Sequence, residues 1–272
     1  MYRAEGLTRV FPGGTRAVGG IDLKIGAGER VAFIGPSGAG KTTLFRMLNC
    51  TLKPTAGRLW IDGEEVAHLH GAVLRAARRK IGTIYQQHNL VPRLHVVHNV
   101  LAGRLGTWST PKALLSLLRP AEVETAHRVL QQVGIPEKLY ARTDELSGGQ
   151  QQRVAIARVL LQDPDVILAD EPVSSVDPML AVGIVHLLTD ISRATGKTLV
   201  VNLHSVDLAL ACFPRIIGLR DGRVLFDLAP EAVQDETLAT LYRGAPEAEG
   251  PAQVTLDASF DSNSSCRPLP KV

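Results

Sequence analysis

The sequence predicts an α/β fold: a mostly parallel core around a glycine-rich loop. Three observations predict it. Short apolar, β-rich runs at residues 31–34, 166–169 and 198–201 have the character of strands buried on both faces. Helical patterns stand between the later runs, as parallel strands require crossovers. A glycine-rich stretch, residues 35–40, follows the first run and precedes a helical pattern.

Composition sets the bounds. The chain has 272 residues, with 30 Lys+Arg against 27 Asp+Glu, a formal net charge of +3, 45% hydrophobic and 21% charged residues. This excludes collagen-like, mucin-like and wholly disordered chains. The length accommodates one large domain or a core with an inserted subdomain. A charge of +3 is too small to argue for nucleic acid. The cysteines, Cys50, Cys212 and Cys266, are widely spaced and fit neither a disulfide framework nor a zinc site, so a reducing compartment is expected. The first residues lack the basic-then-apolar pattern of a secretory signal. No apolar run approaches the ~20 residues that span a bilayer, so work at a membrane would need another anchor.

The elements follow in order. The first third reads as strands and turns. Residues 41–52 read as a helix, with Leu44, Met47 and Leu48 at helical spacing and Pro54 and Gly57 as its stop. Leu59, Trp60 and Ile61 before Asp62-Gly63 form one arm of a hairpin. The stretch from about 87 to 163 is richer in helix. Within it, 121–133 carries Val123, Ala126, Val129, Leu130 and Val133 on one face, and 150–161 is a second apolar helix ended by Pro164. Residues 181–195 are helical. The runs 216–219 and 224–226 flank Asp221-Gly222, a hairpin signal. From about 245 the chain is Pro/Ser/Asn/Asp-rich without periodicity and is expected to be a disordered tail.

Gly35-Pro36-Ser37-Gly38-Ala39-Gly40-Lys41-Thr42 fits G-x-x-x-x-G-K-[ST] at every fixed position. Glycines let successive N–H groups curl around a phosphate, and the following helix N-terminus favours negative charge. Lys41 would reach the β- and γ-phosphates, Thr42 would ligate Mg²⁺ and Thr43 would bond the α-phosphate. The run 166–169 ends in Asp170-Glu171. A strand ending there delivers Asp170 to hold Mg²⁺ and Glu171 to polarise an attacking water as general base.

Leu146-Ser147-Gly148-Gly149-Gln150 lies just upstream of the carboxylate strand. Ser147 offers a hydroxyl, Gly148 and Gly149 expose N–H groups, and a helix begins there, making a second anion-binding helix N-terminus. This segment resembles the signature motif of ATP-binding cassette (ABC) ATPases, and the resemblance extends over about residues 3–244. It implies a P-loop nucleoside triphosphate hydrolase fold with an N-terminal antiparallel β portion and an inserted helical subdomain at about 87–163. It also implies ATP and Mg²⁺ as ligands and a head-to-tail dimer in which Ser147, Gly148, Gly149 and Gln150 of one copy close on the γ-phosphate held by the other. Gln86 resembles the family's Q-loop glutamine, contacting Mg²⁺ and the water, and His204 its switch histidine on the γ-phosphate. Ser175-Val176-Asp177 resembles the dimer-seam loop, with Val176 where leucine is usual. Phe11 stands where the family places an aromatic against adenine, and stacking needs only the π-face.

With one phosphate loop and no membrane helices, the chain is most similar to a separate importer subunit. The stretches 98–106, 202–210 and 214–223 resemble ATP-binding subunits of phosphonate importers, with phosphite and organophosphate systems as neighbours. Ser174-Ser175-Val176 and Asn202 depart from the usual Ala-Ser-Leu and Ser. The implied partners are a second copy, integral membrane permease subunits and, indirectly, a periplasmic or surface binding protein, with no nucleic acid. The implied location is peripheral, on the cytoplasmic face of the cell membrane. Other readings stay open: an amino-acid or peptide importer ATPase, a soluble ABC ATPase without transport, and a small-molecule kinase. Arg75, Arg78, Arg79 and Lys80 read as a solvated helix face, and His88, His95 and His98 do not match zinc spacing.

Overall fold

Two sheets carry the architecture of the computed structural model, which describes residues 1–66, 68–174 and 177–244. The expected tail, Ser175 and Val176 lie outside the described residues. The chain opens with β1 (Tyr2–Val10) and β2 (Arg16–Ile25), then β3 (Arg30–Ile34), α1 (Lys41–Leu48), β4 (Ala56–Ile61) and the short β5 (Glu64–Glu65). β2, β1, β4 and β5 form an antiparallel sheet in that order. The Asp62-Gly63 turn pairs Ile61 with Glu64, as the hairpin signal predicts.

Next come α2 (Gly71–Arg79), β6 (Ile81–Ile84), α3 (Val96–Leu101), α4 (Thr110–Leu118), α5 (Val123–Gln132) and α6 (Gly148–Gln162). The chain then alternates through β7 (Val166–Asp170), α7 (Pro178–Thr195), β8 (Thr198–Asn202), α8 (Val206–Cys212), β9 (Arg215–Arg220), β10 (Arg223–Leu228) and α9 (Asp235–Leu241). The second sheet has the order β10-β9-β3-β8-β7-β6, with β10 antiparallel on the edge and the other pairings parallel.

Strands in this sheet are buried on both faces, which is why they read as continuous apolar runs. Val31 and Phe33 point to the side shared with α1 and the first sheet. Ala32 and Ile34 point to the side packed by α3, α5, α6, α7 and α8. Phe33 meets Phe45 of α1 edge-on, with ring centroids 5.7 Å apart. The Tyr2 hydroxyl donates to the Leu48 carbonyl at 3.2 Å and ties the first sheet to the end of α1.

Element ends differ from the sequence pattern where side chains take over backbone bonding. α1 stops at Leu48, four residues before the expected end, well ahead of Pro54. The Asn49 side chain accepts from the Thr51 N–H at 3.0 Å, and Cys50 turns to φ +59°, so the helix cannot continue. α7 starts earlier than expected, because Asp177 caps it and Pro178 fits its first position.

Candidate functional site

β3 delivers the glycine-rich loop at its C-terminal end, the end at which α/β sheets place ligands. The loop's glycines are forced by neighbours far away in sequence. A Cβ on Gly35 (φ +147°) would lie 2.1 Å from the Leu219 carbonyl oxygen, and one on Gly40 (φ +96°) would lie 2.2 Å from that of Ala17. Gly38 instead faces open space, on the side a phosphate would occupy. α1 begins beyond Gly40 without a side-chain cap, so its first N–H groups are not covered from that residue. Ala17, Ser37, Gly38, Ala39, Gly40, Lys41, Thr42, Thr43 and Glu171 line a cavity of about 290 Å³. Lys41, only 4% exposed, donates from Nζ to the carbonyls of Gly35 at 2.6 Å and Pro36 at 3.0 Å.

β7 ends at Asp170 and places it against the start of α1. Asp170 Oδ1 accepts from Asn202 Nδ2 at 2.7 Å and from Thr42 Oγ1 at 3.3 Å. Burial pushes the Asp170 carboxyl up from the ordinary carboxylate range, and the Asn202 bond pulls it back. Glu171 follows in a left-handed turn, φ +51°, which brings its carboxylate Oε1 to 2.8 Å from His204 Nε2. The hydrogen bond from His204 holds Glu171 below the usual range, against a smaller opposing effect of burial. The Thr42 hydroxyl and Asp170 carboxylate form an oxygen-only donor pair, the chemistry that suits Mg²⁺.

The signature segment is built differently. Ser147 caps α6 in a reciprocal box: its Oγ accepts from the Gln150 N–H at 3.3 Å, and its own N–H donates to Gln150 Oε1 at 3.1 Å. Ser147 and Gly148 are exposed, and a Cβ on Gly148 would meet nothing within 4 Å. Gly149 is buried, because a Cβ there would strike the Leu180 side chain at 2.0 Å. None of residues 147–150 lines the chain's own phosphate cavity.

The remaining expected residues are dispersed. Gln86 is exposed and lines a separate cavity of about 540 Å³ with His88, Thr143 and Gln151. Phe11 follows the end of β1, and the Arg9 guanidinium lies over its ring at 5.0 Å, outside the lining of the phosphate cavity. Asp177 accepts from the Leu180 N–H at 3.1 Å as the cap of α7. Thus the structure brings together residues 37–43, Asp170, Glu171 and His204, and keeps Gln86, Phe11, Asp177 and 147–150 apart from them.

Sequence reasoning missed two residues of the site. Asn202 is completely buried and donates to Asp170, leaving its Oδ1 without a protein partner among the described residues. Its signal was available: an amide at the end of the apolar run 198–201 is costly unless bonded. Ala17, in β2, lines the cavity and sets Gly40. Nothing in an alanine within a strand pattern marks it.

The phosphate loop, the carboxylate strand and the signature helix define an ABC-type P-loop ATPase fold. The family described as ABC transporter matches residues 18–174, and the chain belongs to it. Among relatives, the phosphonates import ATP-binding protein PhnC of Pseudomonas putida is 47% identical over 241 residues, covering 89% of this chain and 90% of that protein. The PhnC 1 protein of Pseudomonas aeruginosa is 50% identical over 238 residues, covering 88% and 89%. A dimeric ATP-binding cassette, MJ0796, in a post-hydrolysis state with ADP and Pi, superposes with a TM-score of 0.71 at 33% identity, over 86% of this chain and all of that one.

Proposed function

We propose that this chain is the ATP-hydrolysing subunit of a phosphonate importer, working as a head-to-tail dimer at the cytoplasmic face of the cell membrane. One observation carries the dimer: the open phosphate cavity is lined by the glycine-rich loop, Ala17 and Glu171, while a second anion-binding helix start, Ser147-Gly148, stands exposed outside it. Two such half-sites are completed if each copy covers the other's nucleotide. The cargo rests on the named relatives from Pseudomonas.

In this reading the loop N–H groups and Lys41 bind the β- and γ-phosphates, Lys41 exchanging its bonds to Gly35 and Pro36 for phosphate oxygens. Thr42 and Asp170 would hold Mg²⁺, which when bound supplies charge neutralisation at the phosphates. Glu171, held ionised by His204, orients and accepts a proton from the water that attacks the γ-phosphorus as ADP leaves. His204 and Gln86 then turn to the γ-phosphate shell. Phe11 stacks on adenine, and Ser147, Gly148, Gly149 and Gln150 of the second copy, with its Asp177 at the seam, close the site.

Among the described residues no helix is long and apolar enough to cross a membrane. Membrane attachment is therefore assigned to permease subunits, reached through the helical subdomain at 87–163. Support comes from α4, which buries Ser116 and turns four leucines outward, Leu118 at 87% exposure. A binding protein outside the membrane supplies the cargo. The test is growth on a phosphonate as sole phosphorus source. Deletion of the gene should abolish growth, the wild-type gene should restore it and Glu171→Gln should not. Unimpaired growth of the deletion strain, in a genome without a second such gene, rejects the cargo.

A further inference from the structure

Gln86 sits on the loop that leaves β6, and that loop is gripped from α6. Arg158 donates from Nη1 to the Asn89 carbonyl at 2.7 Å and from Nη2 to the His88 carbonyl at 2.9 Å. The backbone turns left-handed at Asn89, φ +50°, which presents the two successive carbonyls to one planar fork. One turn further along, Gln162 Nε2 donates to the carbonyls of Ile81 at 2.9 Å and Arg79 at 3.0 Å, at the other end of β6. Both of these guanidinium bonds of Arg158 go to backbone carbonyls rather than to a carboxylate. At Gly103 a Cβ would lie 2.3 Å from the Arg158 carbonyl, so α6 is also packed tightly where the arginine leaves it.

We propose that Arg158 is a positioning residue that locks the Gln86 loop to the signature helix, so that the loop and Ser147 move as one body. The proposal rests on the role given to Gln86 above. From Ser147 to Arg158 the helix spans ~16 Å at 1.5 Å per residue, a rigid rod between two functional ends. Ser147 touches the nucleotide held by the other copy, whereas Gln86 serves the nucleotide held by its own chain. Arg158 therefore couples the two ATP sites: closure on one nucleotide sets the glutamine at the other. Without the fork, the part-buried His88 carbonyl and the exposed Asn89 carbonyl lose their donor, and Gln86, two residues before His88, loses its reference point.

The experiment is steady-state ATPase kinetics on the full chain, with nucleotide affinity measured separately. Arg158→Ala should lower kcat by ~10- to 100-fold, the scale of a small misplacement near the chemistry. KM and ATP affinity should stay within about twofold, and cooperativity in ATP should be lost. Guanidinium ions should restore part of kcat, because Arg158 borders a cavity of about 330 Å³ also lined by Tyr85 and Asn89. The double variant with Gln86→Ala should be no slower than Gln86→Ala alone. A folded Arg158→Ala with wild-type kcat and cooperativity overturns the inference while leaving the proposed function intact. If Gln86→Ala is itself silent, the role of Gln86 fails, and this inference with it. Should Arg158→Ala not fold, Arg158→Lys, which keeps the charge without the fork, must show reduced kcat and cooperativity; wild-type values in it also overturn the inference.

Discussion

The loop at residues 35–43 and the helix start at 147–150 are both glycine-rich helix N-termini, yet one lines a cavity of its own chain and the other stands outside it. At the loop, Gly35 and Gly40 are required by carbonyl oxygens of Leu219 and Ala17, so the cradle is shaped by its own chain. At the helix start, Gly148 has no neighbour within 4 Å that would exclude a side chain, and only Gly149 is fitted to its own chain, against Leu180. A glycine that its own fold does not require points to a demand from outside the chain. In the proposed dimer the loop is the preorganised binding site, and the helix start would be half of a contact.

The largest expected effect tests chemistry common to both halves. Glu171→Gln should cut turnover on the order of a thousand-fold or more, the range for losing a general base. ATP should stay bound, and the nucleotide-loaded dimer should persist on a sizing column. Full activity in this variant would remove Glu171 from its role.

The comparison itself is sharpened by alanine at the two kinds of glycine. Gly40→Ala must displace backbone and should cost about 2–4 kcal/mol in a denaturant titration, with loss of ATP binding. Gly148→Ala should change stability by only about 0.5 kcal/mol and leave ATP binding by the monomer untouched, while dimerisation and turnover fail. Equal damage to folding from both substitutions would erase the distinction between a glycine confined by its own chain and one that is not.

Ser147 separates capping from contact. Ser147→Ala should lose about 1 kcal/mol of stability with the cap. Ser147→Asp keeps a capping oxygen, so thermal stability should hold, but it places negative charge where a phosphate would close. A dimer that still forms with ATP in Ser147→Asp would break the assignment of this helix start.

The smallest effects are in pH dependence. Glu171 is held down by His204, so its contribution to stability is present above the ordinary carboxylate range and is lost as pH falls through the depressed value. His204→Ala removes the dominant cause, and the acid limb of residual turnover should move to higher pH. Asp170 runs the other way: raised by burial, it favours the fold below its ordinary range and less so as pH rises through the raised value. Asn202→Ala removes the hydrogen bond that opposes this rise and should weaken Mg²⁺ binding most at low pH. Unchanged acid limbs in both variants would dissociate these pairs from function.

Much of the site was legible because its parts are contiguous. Residues 35–43 carry the loop and helix start within one stretch, and Asp170-Glu171 end a single apolar run. Boundaries were less legible: the end of α1 depends on the Asn49 side chain capturing the Thr51 N–H, which no apolar period encodes. Asn202 was overlooked because its partner is Asp170, 32 positions away, and the two meet only through the parallel register of β7 and β8.

By itself the sequence determined the strand-loop-helix that binds phosphate, the carboxylates after an apolar strand, and the signature helix start, since each is a local pattern of residue types. The tertiary structure decided which glycines are obligatory, that Glu171 pairs with His204, that Arg158 of α6 holds the Gln86 loop, and that Ser147 stands outside the phosphate cavity of its own chain. Those facts depend on sheet order and helix placement, which bring together backbone and side chains separated by many residues; no local pattern carries that information.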